Sequence, residues 1–140
     1  MDLQIKRLDK SIEIPRYAHE GDAGFDIRAS RDVLIKGGEK VIIPTALSMA
    51  VPEGYVGLIW DRSGLSAKNS LHCLAGVLDS HYRGEIKVVM VNLGKDEFQI
   101  EKGMRIAQML IQPVVQVNLK EVDDLGETER GDGFGSSGLH

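Results

Sequence analysis

Cysteine is almost absent from the 140-residue sequence: Cys73 is the only one. A lone thiol excludes an internal disulfide and a thiolate zinc cluster, and it suits a reducing compartment. Basic charge is also in short supply. Seventeen Lys and Arg against 21 Asp and Glu leave a net charge of −4, which excludes a broad basic face for a nucleic-acid backbone. A few local arginines can still hold a small anionic ligand within so mild a field. Apolar runs are short: Val88–Val91 is among the longest, far below the ~20 residues of a membrane span. The opening Met1-Asp2-Leu3-Gln4-Ile5-Lys6-Arg7 lacks the apolar centre of a secretory signal. The expectation is a cytoplasmic chain, a nuclear one being the alternative, with neither nucleic acid nor membrane as partner.

Glycine, by contrast, is plentiful, with 16 residues, and four prolines add to it. These residues cut the chain into short β-branched runs: Val33–Ile35, Val41–Ile43, Leu47–Val51, Tyr55–Trp60, Ile86–Val91, Arg105–Gln112 and Val114–Val122. Closely spaced runs with turn signals between them predict an all-β sandwich or barrel. Only Ser63–Lys68 suits a helix, a short one with Ser63 as its cap. The length fits one domain. In Ile86–Val91 both faces are mostly apolar, which predicts cover on both sides: either a second sheet layer plus a subunit contact, the favoured reading in so short an all-β chain, or a fully internal strand.

From Gly126 to His140 the composition changes. Five of these fifteen residues are glycine and Phe134 is the only aromatic, too little apolar surface to offset the entropy of ordering. The division expected is a β-domain over residues 1–125 and an arm over 126–140. Two readings of the arm stand open: a solvated end, or a lid in which Arg130 and Phe134 clamp a phosphate and a base.

Two segments could carry chemistry. Asp61-Arg62-Ser63-Gly64-Leu65-Ser66 opens the helix, where free amides and an arginine fork suit phosphate oxygens; an ordinary capped turn is the plainer reading. Ala75 to Glu85 reads as a hairpin, with strands around Val77 and Ile86 and a turn near Ser80-His81. Its sparse bulk would let a planar group approach the backbone, with Asp79 beside it; a surface turn is the plainer reading. The histidines show no metal-ligand spacing, and neither a Walker lysine pattern nor a Gly-x-Ser-x-Gly elbow occurs.

Five short motifs appear in order: Ala23-Gly24-Phe25-Asp26-Ile27-Arg28-Ala29; Arg62-Ser63-Gly64-Leu65-Ser66; Gly76-Val77-Leu78-Asp79-Ser80-His81-Tyr82-Arg83-Gly84-Glu85; Lys102-Gly103-Met104-Arg105-Ile106-Ala107-Gln108; and Arg130-Gly131-Asp132-Gly133-Phe134-Gly135-Ser136-Ser137-Gly138. Together they resemble the trimeric dUTP diphosphatase (dUTPase) family. The resemblance implies a distorted, jelly-roll-like β-sandwich and a homotrimer whose sites are each built from three chains. It implies hydrolysis of dUTP to dUMP and pyrophosphate with Mg²⁺, which keeps dUTP low and supplies dUMP for thymidylate synthesis.

The same resemblance implies the residue roles. Asp79 orients water against the α-phosphorus and reaches the 3′-hydroxyl. Tyr82 packs under the deoxyribose. The backbone from Gly76 to Ile86 pairs with uracil. Arg62, Ser63, Gly64 and Gln108 hold phosphates from a neighbouring chain, and Asp26 supports them. Arg130 grips the outer phosphates, Ser136 and Ser137 touch phosphate oxygens, and Phe134 stacks on uracil. Mg²⁺ is carried by the triphosphate, with no direct ligand from the protein.

Three departures from the family pattern are visible. Asp61 replaces a proline, which predicts a looser strand-to-helix junction with a negative charge near phosphate. His81 replaces an aspartate in a turn facing away from the chemistry. The fifth motif is one glycine short. The related dCTP deaminases would need a glutamate where Val89 stands and usually carry Trp where Tyr82 stands. A nucleotide-sensing module without turnover is the rival from another class, and a structural trimer without nucleotide is a third; the retained Asp79, Arg62, Gln108, Arg130 and Phe134 argue against both.

Overall fold

A computed structural model describes residues 1–131 and 133–140; Asp132 of the fifth motif lies outside the described residues. In chain order the elements are β1 (Gln4–Arg7), β2 (Phe25–Arg28), β3 (Val33–Ile35), β4 (Lys40–Pro44), β5 (Leu47–Ala50), β6 (Tyr55–Trp60), α1 (Ser63–Asn69), β7 (Leu71–Leu74), β8 (Val77–Leu78), β9 (Lys87–Asn92), β10 (Phe98–Ile100) and β11 (Arg105–Pro113). The all-β expectation with one short helix holds. Every strand pairing is antiparallel. The larger sheets run β2-β11-β6-β8 and β4-β9-β7, and β1-β5 and β3-β10 form two-stranded pairs. Among the described residues no helix is long and apolar enough to cross a membrane.

Alternation decides what fills the interior. β9 turns Val88, Met90 and Asn92 inward, and β2 turns Phe25 and Ile27 inward. Ile27, Ile35, Ile43, Met90, Ile100, Ile106 and Met109 are among the side chains removed from water, each contributing ~1.5–3 kcal/mol through burial. In β11 the register shifts between Arg105 and Ala107. This bulge lets the consecutive Ile106 and Ala107 both face the core. Among the described residues two polar side chains, Thr45 and Asn92, are buried, and both are satisfied. Thr45 donates its hydroxyl to the Ile86 carbonyl at 2.6 Å, and the Asn92 amide donates to the carbonyls of Ile35 and Asp96 at 3.1 and 2.8 Å.

The outward residues of β9, Val89 and Val91, stay half-buried, and Ile42 of β4, paired with Val89, is exposed. The last regular element ends at Pro113, and the described residues beyond Gln112 are exposed. Val114–Val122, which the pattern predicts as a strand, forms none. Its final tie to the body is the Val114 amide, which donates to the Gly54 carbonyl at 2.9 Å. Val115, Val117 and Leu119 stand exposed to solvent.

Candidate active site

The β7–β9 ladder closes at Leu74↔Val89. The chain then changes sheets. Ala75 and Gly76 take φ values of +58° and +108°, and β8 joins β6 through Leu58↔Val77 and Gly57↔Leu78. The Ile59 amide donates to the Gly76 carbonyl at 2.8 Å. A Cβ at Gly76 would stand 2.7 Å from the Ile59 carbonyl oxygen, so only glycine permits the crossing. The simple hairpin expected between Val77 and Ile86 is therefore corrected: no ladder joins the two, because this crossing carries β8 to the other sheet.

The separated arms leave a cleft of about 230 Å³, lined by Leu74 through Asp79 on one side, by Glu85 through Val89 on the other, and by Ile59 and Tyr82. β8 pairs on one side only, so alternate N–H and C=O groups along its outer edge are free of a strand partner. Asp79 follows β8 and is exposed. Its carbonyl accepts the Tyr82 amide at 3.1 Å, closing the turn over Ser80 and His81. The Tyr82 hydroxyl donates to the Glu85 carbonyl at 2.7 Å, and a Cβ at Gly84 would meet that hydroxyl at 2.6 Å. Glu85 in turn accepts the Ala46 amide at 3.0 Å. These contacts fix the aromatic ring beside the cleft. Ile86 is buried in the wall, its amide bonded to Leu47 and its carbonyl to Thr45. Its backbone is thus engaged internally, unlike the edge of β8.

A second cleft, of about 320 Å³, gathers three motifs that lie far apart in sequence. Gly24, Asp26, Arg62, Ser63, Gly64, Arg105 and Gln108 line it, with His19 and Asp22 at its rim. Asp26 on β2 faces Gln108 on β11. Its carboxylate lies 3.3 Å from Arg62 Nε and 3.3 Å from Arg105 Nη1. Arg62 also donates to the Arg105 carbonyl at 3.3 Å. Gln108 donates through Nε2 to the Asp61 carbonyl at 2.8 Å, while a Cβ at Gly24 would stand 2.8 Å from Gln108 Oε1. Glycine at position 24 is what makes room for this amide. The result is two guanidiniums, an amide and a helix start around one shared carboxylate, an arrangement suited to an oxyanion.

Ser63 is not the cap. Arg62 occupies that position in extended conformation with no side-chain cap hydrogen bond, and Ser63 begins α1. Asp61 also departs from expectation. Its carboxylate points to β7, where Oδ1 accepts the Cys73 amide at 2.5 Å and Oδ2 lies 2.6 Å from His72 Nδ1. The negative charge thus faces away from the Arg62 cleft. Burial pulls the Asp61 carboxyl upward, but the hydrogen bonds from His72 and Cys73 outweigh it and hold the group below its ordinary value. Burial and then the Asp61 carboxylate push the Cys73 thiol up to about 12, so it is inert at neutral pH.

Within one chain the two clefts share no lining residue. Gly76, Asp79, Tyr82 and Ile86 gather at the first; Asp26, Arg62, Ser63, Gly64 and Gln108 gather at the second. Arg130, Ser136, Ser137 and Phe134 belong to the lining of neither and are exposed, Phe134 with φ +51°. Arg105 and Glu85 belong to the site architecture without an assigned role from sequence. The signal for Arg105 was its place three residues before Gln108, on the strand that faces Asp26.

The dUTPase family model matches residues 10–138. The chain is 48% identical to the deoxyuridine 5′-triphosphate nucleotidohydrolase of Clostridium kluyveri over 141 residues, covering 99% of each. It is 45% identical to that of Brucella melitensis, with 97% of this chain and 92% of the relative covered. Among solved structures it is similar to the Staphylococcus bacteriophage 80alpha dUTPase with dUPNHPP, at TM-score 0.93 and 34% identity over 99% of both chains. It is also similar to a mutant dUTPase from phage phi11 of S. aureus, described with a structural Mg(II) ion. There the TM-score is 0.84 and the identity 28%, covering 89% of this chain and 99% of that one.

Proposed function

We infer the part each residue plays from one premise: the chain belongs to the dUTPase family and hydrolyses dUTP to dUMP and pyrophosphate. Water attacks the α-phosphorus. The observation that carries the assignment of roles is the free edge of β8 along the first cleft, with Asp79 at its end. Uracil presents an N3–H donor between two carbonyl acceptors, which suits the alternating groups of an edge strand. Cytosine reverses part of that pattern, and fixed backbone groups cannot turn to match it. Each mispaired buried group costs ~1–3 kcal/mol. Tyr82, held by Glu85, underlies the deoxyribose and leaves no space for a 2′-hydroxyl.

Asp79 then takes a proton from the attacking water while holding it in line with the departing pyrophosphate. Arg62, Ser63, Gly64 and Gln108 hold the triphosphate, and Asp26 keeps Arg62 and Arg105 in place. Arg130, Ser136 and Ser137 reach the outer phosphates, and Phe134 covers the uracil once the arm, which we divide from the body at residues 125 and 126, closes. Val89, standing where a deaminase would need its glutamate, gives the cleft an aliphatic wall.

The separation of the clefts supports a homotrimer in which Asp79 of one chain works with Arg62 and Gln108 of a second and the arm of a third. Exposed Val115, Val117 and Leu119 supply apolar surface for such an assembly. Mg²⁺ fits this site as a cation that enters on the triphosphate. A hard cation takes oxygen ligands, and Asp26, the carboxylate that lines the second cleft beside Arg62, already faces two guanidiniums. When bound it neutralises phosphate charge. A chain whose one thiol is buried has no use for oxidising surroundings, and we place it in the cytoplasm.

A substrate panel with Mg²⁺ tests this reading. Pyrophosphate release from dUTP is expected to exceed that from dCTP by ~10²-fold or more, from two or more mispaired groups, while dTTP is refused by its C5 methyl and UTP by its 2′-hydroxyl, so both should also turn over far more slowly. A similar rate on dCTP would sink the base-pairing role of β8, similar rates on all four would sink the specificity argument as a whole, and ammonia released from dCTP would favour a deaminase.

A further inference from the structure

We propose that Asp61 is a positioning residue for the phosphate cleft: its carboxylate ties the end of β6 to β7, and its carbonyl, fixed by that tie, orients Gln108. The proposal rests on the reading in which Gln108 contacts the triphosphate.

The ladder between β6 and β11 ends at Trp60↔Gln108, so ladder bonds do not fix the backbone one residue further on. α1 offers little help there, because its cap residue, Arg62, makes no side-chain cap bond. The junction is instead held from the side. β7 is the outer strand of β4-β9-β7, and its Cys73 amide needs an acceptor that no neighbouring strand supplies. Asp61 Oδ1 supplies it at 2.5 Å, and Oδ2 meets His72 Nδ1 at 2.6 Å. One short side chain thereby links two sheets beside the strand-to-helix corner.

The backbone of the same residue faces the other way. Its carbonyl accepts Gln108 Nε2 at 2.8 Å, which fixes the rotation of the amide and turns Oε1 toward the space kept open by Gly24. Asp61 therefore connects β7 to the phosphate cleft through one residue's side chain and main chain. A proline at this position, as in the family pattern, would restrict the backbone but could not bond to β7. Because the carboxylate is aimed at His72 and Cys73, it anchors the corner without standing among the phosphates.

The test is a double-mutant cycle on the full-length enzyme with dUTP, using Asp61→Ala, Gln108→Ala and the pair. Asp61→Ala is expected to raise KM roughly tenfold, about 1.4 kcal/mol, with kcat within about twofold. On the Gln108→Ala background the further rise should shrink to about twofold or less, because coupled residues are not additive. A merely structural role would lower the melting temperature and leave KM alone, or would act in full on the Gln108→Ala background; either result overturns the proposal. If Gln108→Ala raises KM and Asp61→Ala does not, this inference alone fails. If Gln108→Ala leaves KM unchanged, the reading of the cleft fails and the inference goes with it. Should Asp61→Ala not fold, Asp61→Asn serves in the same cycle, since it keeps an acceptor for Cys73. A rise in KM of about threefold that vanishes with Gln108→Ala supports the proposal, and no rise overturns it.

Discussion

Replacing Asp79 with asparagine is expected to lower kcat for dUTP by ~10²–10⁴-fold, the usual range for a lost general base. The fold should survive. Asp79 is exposed at the end of β8, and among the described residues its carboxylate makes no hydrogen bond to the rest of the chain, while its carbonyl keeps the turn closed by accepting the Tyr82 amide. Asparagine has the same shape and preserves that turn, but it cannot accept the proton of the attacking water. The proposed binding surface, built from the edge of β8, Tyr82 and the aliphatic cleft wall, is unchanged. Nucleotide affinity, measured by titration with a non-hydrolysable imido analogue, should stay within about threefold, since no contact worth more than a weak hydrogen bond is lost. Single-turnover kinetics then isolate the chemical step. A near-native rate would remove Asp79 from the reaction.

The second large effect comes from ending the chain after Glu129. This deletion removes Arg130, Phe134, Ser136 and Ser137 together. Base stacking on an aromatic ring is worth ~1–3 kcal/mol, and a charged hydrogen bond from arginine ~1.5–3 kcal/mol. The expected loss in kcat/KM is therefore on the order of 10²–10⁴-fold. Melting temperature should move little, because the described residues removed are exposed and contribute nothing to the core. A truncated enzyme with native kinetics would make the arm a solvated end and nothing more. One that fails to fold would mean that the tail has a packing role its exposure does not suggest.

Local signals in the sequence carried much of this picture. Gly and Pro marked the strand ends, the alternation in Ile86–Val91 sorted β9 into two largely apolar faces of which the structure buries Val88 and Met90 more deeply, and Ser63–Lys68 located α1 to within one residue. The motif order pointed to the family. What escaped were features created by distant pairings. That β8 leaves β9 for β6 depends on Gly76 meeting Ile59, a contact between residues seventeen positions apart. Val114–Val122 has strand composition, yet a strand needs a partner, and among the described residues none pairs with it. Asp61 reads as a charge beside phosphate until β7 brings His72 and Cys73 to its carboxylate. Arg105 carries no role by itself and acquires one when the β2–β11 register sets Asp26 near it. In each case side-chain type was visible, and the geometry that gives it meaning was not.

The central claim is that one active site draws Asp79 and Arg62 from different chains. Mixing two disabled variants, Asp79→Asn and Arg62→Ala, by unfolding and refolding them together tests it directly. If the claim holds, random assortment returns about a quarter of the native dUTP turnover, from sites that pair an intact Asp79 with an intact Arg62 on a neighbour. If both residues serve a site within a single chain, the mixture stays as inactive as its components, and that outcome contradicts the account.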